Sequence, residues 1–180
     1  MNFYDLVEDW CKGCKELRHD RMKDKRFYLC DGFLGMTDFM HEHTPEQSPC
    51  VLVDTSMSGI LYETHDEPVY TLYFAVRAME QNNDRAALMA RLAGKQLANK
   101  FVAYLRWLKN SRYPSDKKYG SDYTLLERQE VVKMLDMKRI GYETLGPIYE
   151  GWHAVQLSLE CPVMNTQCLD PNDYVEGWTG

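Results

Sequence analysis

The residues with the plainest chemical potential are the thiols of W-C-K-G-C-K, Trp10 to Lys15. A tryptophan ahead of C-x-x-C is the pattern of a thioredoxin-like redox site. There, the first thiolate lies at the N-terminus of a helix that follows a buried strand, and the helix dipole lowers its pKa. The same pair could supply half of a zinc site. Cys11 and Cys14 would then need Cys30 together with Cys50, His41 or His43 to complete four tetrahedral ligands. Neither chemistry is well served by the surroundings. Only nine residues precede Trp10, and H-E-H at 41 to 43 is a poor second half, because alternate residues flanking one position rarely converge on a metal unless the backbone turns there. No catalytic residue, metal ligand set or cofactor site is therefore assigned.

The remaining histidines, His19, His65 and His153, fall in no motif of known catalytic mechanics. No G-x-S-x-G, H-E-x-x-H or phosphate-cradling glycine loop occurs. E-T-H-D-E at 63 to 67 is acidic but reads as a solvated hairpin turn rather than a metal loop.

The element that must carry the cysteines reads as a helix. Phe3, Leu6, Val7, Trp10, Cys14 and Leu17 recur at three- and four-residue spacing, which makes one apolar face. Asn2 is a plausible cap, with Asp5 as its partner three residues on. The spacing thus places both cysteines in the helix body, where a buried structural thiol is the expected role.

Beyond it lies a basic polar link, Arg18 to Arg26. F-Y-L-C-D-G-F-L-G-M-T-D-F-M then mixes aromatics with glycines and is compatible with an extended segment followed by a short helix, and T-P-E-Q-S-P is a loop. P-C-V-L-V-D, S-M-S-G-I-L-Y-E and V-Y-T-L-Y-F-A-V-R read as three consecutive strands, with H-D-E-P as a turn, and imply an antiparallel meander. A long helix is expected from Asp84 to Asn110, capped by Asp84, with Leu88, Leu92, Leu97, Phe101, Leu105 and Leu108 as its apolar face. A polar loop from Tyr113 to Asp122 and a shorter helix, T-L-L-E-R-Q-E-V-V-K-M-L-D, come next. K-R-I-G-Y-E-T-L-G-P-I-Y-E and G-W-H-A-V-Q-L-S-L-E-C-P-V close the domain as strands. In the second, Val155, Leu157, Leu159, Cys161 and Val163 alternate with Ala154, Gln156, Ser158 and Glu160. The expected fold is α+β: a mostly meander antiparallel sheet of about five strands, packed by the long central helix and the N-terminal helix. One domain spans 1–164, and 165–180 is an extended tail whose Leu169, Tyr174, Val175 and Trp178 are apolar anchors in need of a dock.

The chain has 180 residues and a net charge of −6. That length supports one full core, and the acidic balance argues against gripping a phosphate backbone. The 12 tyrosines and 4 tryptophans suit protein contacts. The N-terminus lacks the basic start and apolar run of a signal peptide, and no apolar stretch approaches a bilayer span, so folding in a cytoplasm with reduced thiols is expected.

In its order of elements the chain resembles the tail-terminator and tail-completion proteins of tailed bacteriophages, with their related neck-ring proteins. The likeness runs roughly from Asp5 to Val163. It is carried by the strand-rich run from Pro49 to Arg77, by the alanine-rich helix ending at Arg106-Trp107, and by G-W-H-A-V-Q-L-S-L-E-C-P-V, similar to that group's closing strand. The stretch from Ser111 to Asp136, the long segment from Phe27 to Pro49 and the tail depart from the pattern. The resemblance implies a structural, non-enzymatic role: a homo-oligomeric ring in the virion, assembled in the host cytoplasm, touching other neck or tail proteins and passing DNA without reading it. Cyclic rings need a heterologous interface, for which Trp152, His153, Gln156, Ser158, Tyr174 and Trp178 are the candidate contact residues. A small thiol enzyme using Cys11 and Cys14, or a protein-binding adaptor, is the alternative.

Overall fold

A computed structural model describes residues 1–56, 58–61, 65–80, 83–111 and 124–164. Among these residues, four α-helices and seven strands make an α+β fold around a single mixed sheet. The organising strand is β4 (His65–Arg77), 13 residues rich in β-branched and aromatic side chains. Its length lets it take two short strands end to end on one edge: β2 (Cys50–Asp54) pairs with its Leu72–Ala75 stretch and β3 (Ser58–Leu61) with Asp66–Val69. On the other edge it pairs with β6 (Trp152–Glu160), and beyond that with β7 (Val163–Met164). β5 (Ile140–Leu145) lies outside β6 as its hairpin partner.

The expected meander is thus corrected. β2 and β3 are not successive neighbours but share one edge of β4. H-D-E-P is not a turn; its backbone belongs to β4. Gly59 is what allows β3 to come in beside Pro68, since a Cβ there would stand 2.8 Å from Pro68 Cα. The sheet also has a parallel pair, because β1 (Phe27–Cys30) runs alongside β2 and reaches it through the crossover helix α2 (Gly32–Glu42).

Both faces of the sheet are covered at the Trp152 end. On one, α1 (Phe3–Gly13), α3 (Asp84–Asn110) and α4 (Leu125–Lys133) pack Leu6, Trp10, Phe101 and Leu125 against Val53, Phe74, Val155 and Leu157. On the other, Met36, Phe39 and Met40 of α2 pack over Tyr28, Leu52, Tyr73, Ala75, Trp152 and Ala154. Beyond the reach of α2, Gln156, Ser158 and Glu160 on that face are only half-buried.

α1 and α4 begin with reciprocal caps, Asn2 with Asp5 and Thr124 with Glu127. The long helix is capped by Asn83 rather than Asp84: the Asn83 side chain accepts from the backbone N–H groups of Arg85 and Ala86. Its buried face is Ala90, Gly94, Leu97, Ala98, Phe101, Leu105 and Leu108. Leu88 and Leu92 are off that phase and exposed. Gly94 sets the depth of the helix, because a Cβ there would lie 3.0 Å from the Phe74 carbonyl oxygen and 3.3 Å from Val155 Cγ2. α4 is tied to α1 by a buried ion pair, Arg128 to Asp9 at 2.8 Å. The sequence-expected loop from Tyr113 to Asp122 lies outside the described residues.

Candidate functional site

The opening thiols sit where neither redox nor metal chemistry can use them. Cys11 is in the body of α1 and fully buried, and Cys14 is the residue that ends the helix, its N–H donating to the Trp10 carbonyl at 2.9 Å. Both are thus near the negative end of the helix dipole, the reverse of the arrangement that stabilises a thiolate. Burial pushes the Cys11 thiol well above its usual range and raises that of Cys14. Burial likewise pushes Cys30 up to about 12 and raises Cys50. Among the described residues no group of three or more His, Cys, Asp or Glu side chains is placed to hold a metal ion. His41 and His43 do not converge: His43 bonds the Phe39 carbonyl at 2.8 Å, while the His41 ring packs against Tyr149.

One polar cluster is built from residues with no sequence signal. Glu8 projects from α1 into the 18–26 link, where both its oxygens are bonded by the Arg21 guanidinium and its Oε1 lies 3.2 Å from His19 Nε2. The backbone N–H of Arg26 donates to His19 Nδ1 at 3.0 Å. Nδ1 is therefore the unprotonated nitrogen, and Nε2–H donates to Glu8. The Arg21 hydrogen bonds outweigh burial and hold the Glu8 carboxyl at about 2. Every group in this cluster is engaged in pinning the link to α1, and the link itself is closed by Asp20, whose side chain accepts from the N–H groups of Met22 and Lys23. The cluster has the chemistry of a staple.

The expected contact residues separate. Trp152 is 0% exposed beneath α2 and His153 is 2% exposed beneath α3. Neither offers a surface to another subunit, which corrects their placement on a wet face. The aromatic bulk of Trp152 fills the core that the unforeseen α2 creates. His153 Nδ1 accepts from Arg91 Nε at 3.3 Å, and Arg91 also bonds the Gly146 carbonyl at 3.1 Å, so the pair fastens α3 to the β5–β6 connection. Burial and the Arg91 charge lower the His153 pKa. Gln156 and Ser158 stay half-buried and open to contact. Tyr174 and Trp178 lie outside the described residues.

The exposed feature of the surface is instead apolar. Met79, just past the end of β4, is 101% exposed, and Leu88, Met89 and Leu92 on the outer side of α3 are 53%, 60% and 45% exposed. Between the two methionines runs a groove of about 510 Å3 floored by Ala78, Ala86, Ala90 and Ala93. Its sequence signal was the run of alanines, which leave a hollow where larger side chains would close it. Clustered exposure of this kind marks an interaction surface rather than ordinary surface scatter.

The fold and this surface define a mixed-sheet α+β protein whose concentrated surface feature is apolar rather than catalytic. The chain matches no protein-family model and no curated protein sequence. Among the described residues no helix is long and apolar enough to cross a membrane.

Proposed function

We propose that this chain is a structural protein of a tailed-bacteriophage virion, a subunit of a ring at the neck or tail end that passes DNA without catalysis. The observation that carries the reading is the exposed ridge of Met79, Leu88, Met89 and Leu92 beside a helix whose opposite side is fully occupied by its own core. A monomer gains nothing from leaving that ridge in water, whereas a subunit that repeats around a ring buries it at a heterologous interface. The net charge of −6 is in keeping with a lumen along which DNA slides, since phosphate is repelled rather than held. The resemblance in element order supplies the virion setting. A thiol enzyme loses its motive through the burial of Cys11, while an adaptor that offers the ridge to a foreign protein is separated from a ring by particle mass.

The test is light scattering coupled to gel filtration, with electron microscopy of the same peak. A closed ring with a central hole, at a whole multiple above two of the 21.1 kDa subunit, is the expected result. A monomer or dimer at tens of micromolar protein overturns the reading.

A further inference from the structure

Resting on that ring reading, we propose that the C-terminal segment 165–180 of one subunit lies in the Met79–Met89 groove of the next, with Tyr174, Val175 and Trp178 as the anchors. Three observations meet here.

The first is the shape and lining of the groove. About 510 Å3 falls within the ~300–1,000 Å3 of pockets that take small organic ligands. Its alanine floor cannot fill it from within, and the two methionines on its rim are flexible, polarisable side chains that re-pack around aromatic guests.

The second is reach. Met164 pairs with His65 at one end of β4, and the groove begins past Arg77 at the other. Twelve residue steps separate those ends, about 40 Å at ~3.3 Å per residue. Ten steps separate Met164 from Tyr174, which can extend no more than ~36 Å. Tyr174 therefore falls short of its own groove, and Trp178 arrives there only if the segment is pulled straight along the whole sheet. The groove of a neighbouring copy is subject to no such limit. An arm leaving one end of the sheet to meet a groove at the other end also describes a head-to-tail contact, the kind that closes into a ring.

The third is charge. Residues 165–180 carry Asp170, Asp173 and Glu176 with no lysine or arginine. The groove is bordered by Arg77 and Arg85 against the single Glu80, and the N-terminus of the 27-residue α3 opens onto it, adding the positive end of a helix dipole. The acidic residues interleave with the aromatics, so anchors and charges can be met together.

The experiment uses the full chain with the photoreactive residue p-benzoylphenylalanine in place of Trp178. Unlabelled and 15N-labelled subunits are mixed in equal amounts in urea, reassembled and irradiated. Residue 178 is expected to attach to the tryptic peptides Ala78–Arg85 and Ala86–Arg91, with about half of the linked pairs carrying one label of each kind. Met89→Asp should lower that yield at least tenfold with the melting temperature unchanged within about two degrees. Attachment elsewhere, attachment only within one chain, no attachment, or yield indifferent to Met89→Asp overturns the proposal. A large closed particle that cross-links elsewhere leaves the ring standing and removes the docking site. A dimer with mixed-label links to these peptides does the reverse.

Discussion

At the scale of single residues, the chain's loudest sequence signal and its best-built polar cluster adjoin and differ completely. Cys11 and Cys14 carry a motif without its setting, since a thiol at the wrong end of a helix and out of solvent has no route to the thiolate. Glu8, three residues before Cys11, carries no motif and is strongly engaged. Its carboxyl sits at about 2 in the folded protein against an ordinary value of 4.5. A carboxyl depressed on folding stabilises at pH above its unfolded value, and the contribution fades as pH falls through the folded value. The full shift would be worth about 3 kcal/mol, but the Arg21 side chain is 68% exposed and screening reduces the effect to about 1–2 kcal/mol. Glu8→Gln is accordingly expected to be less stable than the parent by that amount at pH 7, with the gap closing between about pH 4.5 and pH 2. Urea unfolding of both proteins at neutral pH and at two points inside that window measures it. A gap that stays constant over that range would show that the carboxylate charge is idle and that Glu8 acts only by its shape.

At the scale of elements, the long helix shows what sequence could and could not deliver. Its bounds were legible, because twenty-seven residues of alanine- and leucine-rich chain between a cap and a polar loop have no other regular structure open to them. Its phase was not. Reading leucines as the buried face put Leu88 and Leu92 inward, whereas the residues that touch the sheet at that end are Ala90 and Gly94, chosen for close approach and not for hydrophobicity. Gly94→Leu is therefore expected to destabilise by about 2–3 kcal/mol, since the added branch meets the Phe74 carbonyl and Val155 with no room to turn aside. Leu88→Gln should change stability by no more than about 0.5 kcal/mol. Thermal melts of the pair decide the phase; equal losses would return Leu88 to the core. The sheet divides in the same manner. The β5–β6 hairpin and the alternation of Val155, Leu157 and Leu159 were written in period two. The parallel β1–β2 pair was hidden, because F-Y-L-C is four residues long and its partner is recognisable only once α2 is seen to cross over. That omission carried the error at Trp152. Without α2 the second face is wet at this end, and with it the tryptophan is core. Of the candidate surface, the aromatic richness was legible and the groove was not, since it depends on what alanines fail to fill.

At the scale of the whole molecule, the question is where the domain ends and the assembly begins. The core closes at Cys161, which is buried and whose N–H donates to the Pro68 carbonyl at 2.9 Å, and β7 pairs with β4 immediately after. Every cluster of buried side chains is complete by that point among the described residues. The segment 165–180 carries half of the net negative charge and two of the chain's large aromatics. A chain ending at Met164 is expected to melt within about three degrees of full length, because no core contact of the described residues is lost with the segment. It is also expected to shed its assembly, because truncating aromatic anchors at an interface costs on the order of 2–4 kcal/mol each, and the loss recurs at every contact around a closed ring. Losing three carboxylates lowers the repulsion between subunits, so charge alone would strengthen association, and a fall in particle mass must come from the lost anchors. Light scattering beside the melting curve tests both halves. A sharp drop in melting temperature while both proteins are monomeric would place the segment in its own subunit's core. Unchanged mass and unchanged melting would leave the ridge on α3 to hold the ring without an arm.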